Sequence, residues 1–278
     1  MIQMKNKWLY LILLFFAVFS CSDKIAGGSG AGNPGATTVA VIAVTTDSSE
    51  IPDTIPDAHS GIRMYPDTVK IIDDSSGKFV LIHAELKIRR IVFLFDSLEK
   101  RMPDLDSIQL PLTASDYGII LDGPFVFNIL SGNSFPPVPR FSLPEGKYKG
   151  IRVEYDTIHP VMTLNCSFEW NGRTHHMTVS DFFTGNDMFK KENTSFNINR
   201  KRVTTLRILL NASKWFRGIA IGPKLDNGEL TIGSDSTLYM KSSGSTVQSA
   251  LLAGKIADNL RKSGKLLVNH SDTQKNED

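Results

Sequence analysis

Two methionines, a cysteine and a histidine are the residues of this chain best suited to soft-metal chemistry. Met162, Cys166, His175 and Met177 share the apolar face of a hairpin predicted over 161–180. Thioether, thiol and imidazole in one set would suit Cu(I). The same residue types are also common packing residues of a buried core, and the alternation along 161–180 points them inward. The reading adopted is core, with the soft metal site as the alternative and no metal ligand assigned. His175 and His176 are neighbours, so a strand sends them to opposite faces. No Cys-x-x-Cys, His-Glu-x-x-His or EF-hand loop occurs; Asp104-Leu105-Asp106-Ser107 lacks the glycine and closing glutamate that calcium requires. A nucleophilic serine has no support either, since Gly28-Ser29-Gly30 lies in a glycine-rich stretch unable to hold an oxyanion hole rigid. The carboxylates Asp96/Glu99, Asp116/Asp122 and Glu154/Asp156 would serve a glycosidase only if the fold set a pair about 5–9 Å apart. The basic knot Arg200-Lys201-Arg202, with Arg207, Lys214 and Arg217 nearby, reads as a solvated turn or a contact for anionic polymer. No catalytic residue and no cofactor follow from these patterns, and the chain is expected not to be an enzyme.

The other cysteine carries a more specific signal. Lys5 and Lys7 precede an unbroken apolar run from Trp8 to Phe19, closed by Ser20 and Cys21. As a helix that run reaches only about 18 Å, short of a hydrocarbon core of about 30 Å. A basic start, a short apolar stretch and a small residue before the break describe a secretory signal peptide over 1–20. Val18-Phe19-Ser20-Cys21 resembles the lipobox of bacterial lipoproteins. That resemblance implies acylation of Cys21, which becomes the first residue of the mature chain. Ser22 in place of Asp then implies the outer membrane of a Gram-negative bacterium, with the body periplasmic or surface-exposed. Acyl chains on one residue give stable anchoring at about 0.8 kcal/mol per buried CH₂. The implied partner is the membrane, with an envelope protein or a glycan as the partner of the body.

Positioning falls to a strand-rich body. Of 278 residues, 41% are hydrophobic and 22% charged, an ordinary globular composition. Thirty-one Lys and Arg against 29 Asp and Glu leave a net charge of +2, and loss of Lys5 and Lys7 makes the mature body formally neutral. Nucleic acid is therefore not an expected partner. Residues 21–60 read as the lipidated cysteine and a flexible tether, with a short strand over 37–45. Residues 61–245 read as an antiparallel β-sandwich, because short strands recur between Pro, Gly, Asp and Asn punctuation. Within 79–95 the alternation Val80, Ile82, Ala84, Leu86, Ile88 changes phase after Arg89-Arg90, so that Ile91, Phe93 and Phe95 take the apolar side, as a bulge requires.

Asn171-Gly172 is a type I′ turn signal that pairs Cys166 with Met177 and Phe168 with His175 on the apolar face. Ser167/His176 and Asn165/Thr178 then fall on the polar face. Residues 195–210 read as a second hairpin and 230–232 as a strand. Thr246 or Ser245 caps an amphipathic helix over 246–264, packed on the sandwich through Val247, Ala250, Leu251, Gly254, Ala257 and Leu260. Residues 265–278 read as a frayed tail. The fold class is all-β: an antiparallel sandwich with a C-terminal helix, behind a signal peptide and tether.

Two stretches carry a family resemblance. Pro124-Phe125-Val126-Phe127-Asn128-Ile129-Leu130, followed by Phe141-Ser142-Leu143-Pro144-Glu145-Gly146-Lys147-Tyr148-Lys149-Gly150-Ile151-Arg152-Val153, resembles the pattern of the DUF4382-like β-sandwich lipoproteins. The MbnP-like copper-associated sandwich proteins carry a related stretch. Lys214-Trp215-Phe216 and Ile256 to Ser263 are similar to closing elements of such lipoproteins. The resemblance spans about residues 80–263 and implies a sandwich fold. Copper ligands of the MbnP-like group are not matched here, and none is carried over.

Overall fold

A strand eighteen residues long, nearly all of it flanked on both sides, organises the body of this protein. The computed structural model describes residues 37–45, 68–96, 112–138, 141, 143–155, 160–181, 186–189, 195–199, 202–242 and 246–272. The predicted signal peptide, Cys21 and most of the predicted tether lie outside the described residues. The strands are β1 (Thr37–Thr45), β2 (Val69–Ile72), β3 (Lys78–Phe95), β4 (Leu112–Ser115), β5 (Gly118–Asn128), β6 (Asn133–Phe135) and β7 (Gly146–Tyr155). They continue as β8 (Met162–Trp170), β9 (Arg173–Asp181), β10 (Asn186–Phe189), β11 (Phe196–Ile198), β12 (Arg202–Asn211), β13 (Thr237–Lys241) and β14 (Gly264–Asp272). Two α-helices, α1 (Ile221–Asp226) and α2 (Val247–Lys262), and a 3₁₀ turn at Ala212–Lys214 complete the described elements.

Eleven strands form one sheet, with β3 as its spine. The first half of β3 pairs with β2 and β8, and β9 and β13 extend that side. The second half pairs with β5 and β7, to which β4, β6, β10 and β11 attach. Both ladders along the second half shift register between Ile88 and Arg90: against β7 Arg89 is the extra residue, whereas against β5 Gly123 and Pro124 together face it. The predicted phase change is this bulge, and Ile91, Phe93 and Phe95 lie in the core beyond it. Gly123 faces the corner on β5. A Cβ there would come within 2.8 Å of the Arg89 carbonyl oxygen, so only glycine fits. A second register break, between Leu81 and His83 against β8, corrects the expected inward set. Phe79 and Leu81 are buried in place of Val80 and Ile82, and Ile82 is 48% exposed.

A smaller sheet in the order β1–β12–β14 supplies Leu206, Ile208, Leu210, Leu266 and Val268 to the same hydrophobic core. The fold is all-β and sandwich-like with a C-terminal helix. Most pairings are antiparallel, but β1 joins β12 and β13 joins β9 in parallel, each after a long crossover.

Three sequence expectations change. Residues 195–210 are not a hairpin: β11 adds to the large sheet beside β7 and β12 enters the small one, so the chain turns a corner between layers. Phe196 there stacks on Tyr148 with ring centroids 5.7 Å apart, and that burial holds β11 in place. Leu230 is buried behind α1, where its amide donates to the Lys224 carbonyl, and 230–232 is no strand. The expected frayed tail is instead β14 as far as Asp272, because Leu266 and Val268 reach the core; 273–278 lie outside the described residues.

The helix expected over 246–264 spans Val247–Lys262, capped by the Thr246 hydroxyl accepting from the Ser249 amide. Its inward residues are Leu252, Ala253, Ile256, Ala257 and Leu260, whereas Val247 and Leu251 face outward at 78% and 63% exposure. Trp215 and Phe216 are fully buried. Trp215 donates its indole N–H to the Ser263 hydroxyl at 3.1 Å, tying the 3₁₀ segment to the end of α2.

Candidate functional site

The hairpin of β8 and β9 adopts the predicted register throughout, from Trp170 opposite Arg173 to Leu164 opposite Val179. Positive φ at Asn171 (51°) and Gly172 (70°) gives the primed turn that the strands' twist requires. Met162, Cys166 and Met177 are therefore inward and wholly buried. Cys166 pairs with Met177, while Met162 sits four residues along the same strand, about 13 Å away along the strand. His175 lies one row toward the turn, its ring 5.8 Å from both Phe168 and Trp170 and its Nδ1 buried without a hydrogen-bond partner. Burial pushes the Cys166 thiol well above its ordinary range, so it stays protonated and is a poor ligand or nucleophile. These residues pack as core rather than converging on one point. Among the described residues no group of three or more His, Cys, Asp and Glu side chains is arranged to hold a metal ion.

The opposite face of the same strands is a different surface. Reading across β3, β8, β9 and β13, the register places Val80, Ser167, His176 and Thr237 in one row. His83, Asn165, Thr178 and Tyr239 form the next row, and Glu85, Thr163, Ser180 and Lys241 the third. All of these side chains are partly or fully exposed. The array measures roughly 14 Å in each direction from ordinary strand and row spacings. Tyr239 is 45% exposed, and its hydroxyl donates to Asp235 Oδ2 at 2.7 Å, which fixes the ring. His83 Nε2 lies 3.4 Å from Glu85 Oε1.

Beyond the bulge the outer face of the sheet becomes charged. Arg89 and Arg152 each donate to Glu154 at 3.0 Å, and Arg90 approaches the same carboxylate at 3.6 Å while donating to Asp122 at 2.7 Å. The Arg152 guanidinium also stands 4.7 Å over the ring of exposed Tyr117. The hydrogen bond to Asp122 holds the Arg90 guanidinium above its ordinary range. This knot joins β3, β5 and β7 across the corner. Glu154 and Asp122 are thus each engaged by arginine and not paired with a second carboxylate. Asp96 accepts from the Ser195 hydroxyl at 2.5 Å, Asp116 sits in an exposed turn, and Glu99 and Asp156 lie outside the described residues.

The basic residues of the predicted anionic contact are not brought together. Arg202 begins β12, and Lys214 and Arg217 follow its far end, about 30 Å along a ten-residue strand. Arg207 is buried on β12, and Arg200 and Lys201 lie outside the described residues. On α2, Lys255 donates to the Gly218 carbonyl, Lys262 pairs with Asp258 and Arg261 forks onto Asp187.

No protein-family model, no curated protein and no solved structure matches this chain.

Two junctions escaped the sequence reading. Asp73, in the turn after β2, accepts the amides of Ser75 and Gly77 on one oxygen and the amide of Ile221 on the other, capping α1 from across the domain. Asp187 on β10 receives the Tyr155 hydroxyl at 2.6 Å and the Arg261 fork, tying the sheet edge to α2. Burial, with Asp187 beside it, pushes the Tyr155 phenol well up. The run Asp73-Asp74-Ser75-Ser76-Gly77 signals the turn of the first. The second joins residues far apart in the chain, and nothing in the sequence marks it.

Proposed function

We propose that this protein is a non-enzymatic lipoprotein of the bacterial outer membrane, a sandwich held at the bilayer by acylated Cys21 and serving as a binding or structural module. The observation that carries the reading is the N-terminal order of Lys5, Lys7, the apolar run Trp8–Phe19 and Cys21. The glycine-rich stretch after Cys21 supports it, since such a composition spaces a folded body from a surface. The resemblance of 124–130 and 141–153 to DUF4382-like lipoproteins points the same way.

Binding is assigned to the outer face of β3, β8, β9 and β13, because the inner face of those strands is committed to the core. The test is Cys21→Ala in the native host, with metabolic labelling by an alkyne fatty acid. The variant is expected to lose label and leave the membrane fraction. Unchanged membrane association of an unlabelled variant would overturn the anchor.

A further inference from the structure

We infer that the outward face of α2, with the turn beside it, rests on an anionic phospholipid surface. The inference rests on the lipid-anchor reading above and adds a second contact to it. Along α2, Val247, Leu251, Lys255, Asp258 and Lys262 follow one another at three- and four-residue spacing and so share one face, opposite the buried Leu252, Ala253, Ile256 and Leu260. Val247 and Leu251 stand one turn apart and are 78% and 63% exposed, so this face begins aliphatic. Its other half is positive. Lys255 donates to the Gly218 carbonyl at 2.6 Å, and Asn259 donates to the carbonyls of Trp215 and Arg217, which fastens the segment 214–218 along the helix. Lys214 and Arg217 of that segment are exposed, and among the described residues neither pairs with a carboxylate. The exposed carboxylates close by are Asp258, taken up by Lys262 at 2.6 Å, and Asp74, whose amide donates to the Ile219 carbonyl. On the opposite flank Asp187 is taken up by Arg261 and Asp181 is buried. Four cations, Lys214, Arg217, Lys255 and Lys262, therefore outweigh two carboxylates beside an exposed aliphatic pair.

An aliphatic tip with a cationic flank is what an interfacial helix presents to a bilayer. The apolar side chains enter the boundary between headgroups and acyl chains, while ammonium and guanidinium groups meet phosphates with their stems laid along that boundary. A second copy of the chain fits this face poorly. Sixteen helical residues make a face about 24 Å long and about 10 Å wide, far below the roughly 800 Å² per partner of a stable interface. Two-fold pairing would also bring the surplus cations of both copies together. A bilayer needs no such area, because the anchor already holds the domain beside it and makes docking a local step. The chain between Cys21 and Thr37 reaches at most about 55 Å. The start of β1 pairs at Thr204, about 25 Å along β12 from Asn211, so that reach is enough to bring the segment 214–218 to the surface.

The experiment uses the full-length acylated protein carrying Gln248→Cys, reconstituted into vesicles of phosphatidylcholine alone and of phosphatidylcholine with phosphatidylglycerol. A polarity-sensitive NBD label goes to position 248, because Cys166 is buried and acylation blocks Cys21. Lipids with a doxyl quencher high on the acyl chain report contact. Quenching is expected on the anionic vesicles and its loss in high salt. The docking equilibrium read from the quenched fraction is expected to fall about fivefold or more in Leu251→Ser and in Arg217→Glu. Lys214→Glu replaces Arg217→Glu should the latter lose its cooperative melt. A label placed instead at His176→Cys, on the outer face of β9, is expected to stay unquenched. Absence of quenching on anionic vesicles, equal quenching on neutral ones, or quenching indifferent to the substitutions would each overturn the inference. A label shift that grows with protein density and is not quenched by lipid would assign the face to a second copy and overturn it as well. The intact mass of the same sample reports whether Cys21 is acylated. Failure of quenching on acylated protein therefore counts against the helix contact alone, and an unmodified Cys21 counts against the anchor alone.

Discussion

One strand, β3, carries two outer surfaces of opposite character. Past the bulge at Arg89, the exposed side chains are arginines gathered on Glu154 and Asp122, each charge spent on another within the domain. Before it, the face carries hydroxyls, an amide and imidazoles among scattered charges such as Lys70, Glu85 and Lys241, which are not gathered on a shared partner as the arginines are. The inner faces of both halves share one core, so burial does not explain the contrast. A corner is where three strands must be pinned while the ladder loses its register, and partly buried ion pairs do that. The first half breaks register once, at Ile82 against β8, and is otherwise held by pairing to β2 and β8, which leaves its outer side chains available to a ligand.

Breaking the corner is expected to cost most. Gly123→Ala forces a Cβ against the backbone oxygens of Ile88 and Arg89 and should destabilise by about 3 kcal/mol. Gly172→Ala in the β8–β9 turn meets open space and bears only its positive φ, at about 1 kcal/mol. Urea midpoints of the two variants, measured side by side, check the ranking.

Glu154→Ala leaves three arginines without their shared acceptor and should cost about 2 kcal/mol, less than a fully buried pair because two of the arginines are substantially exposed. Thr178→Ala on the array should stay within about 0.5 kcal/mol of the parent. Equal losses at the two sites would erase the distinction drawn between the halves.

The shared core has its own signature in alkali. Burial raises the ionisation of Cys166, Tyr148 and Tyr155 above the ordinary 9.0 and 10.0 of thiol and phenol. The unfolded chain then loses these protons first, so stability is full below about pH 9 and falls as pH rises. The slope reaches at most about 1.4 kcal/mol per pH unit for each group. Cys166→Ala should flatten the part of the decline that begins near pH 9, whereas His176→Ala on the outer face should leave it unchanged. Chemical denaturation at a series of alkaline pH values reads both.

Local chemistry was legible in the sequence wherever one turn or one phase change decides the outcome. Asn171-Gly172 fixed both faces of the hairpin, and Arg89-Arg90 marked the corner. The break at Ile82 was not legible, because Val80 and Ile82 are as apolar as the Phe79 and Leu81 that displace them. The array was half visible: Ser167/His176 and Asn165/Thr178 follow from the hairpin. Thr237 and Tyr239 arrive by a parallel pairing across a long crossover, which no local pattern encodes. β14 was missed for the same reason, since its partner is β12 and its two core residues lie in a short polar-flanked segment. The helix phase was misjudged because Val247 and Leu251 look like a buried stripe, yet both are exposed.

The central claim is that acyl chains on Cys21 hold this domain at a membrane. Mass spectrometry of the N-terminal peptide from membrane-extracted protein tests it most directly. A mature chain beginning at an acylated Cys21 is the predicted result, and an unmodified thiol at that position, or a peptide that retains Lys5 and Lys7, would contradict it.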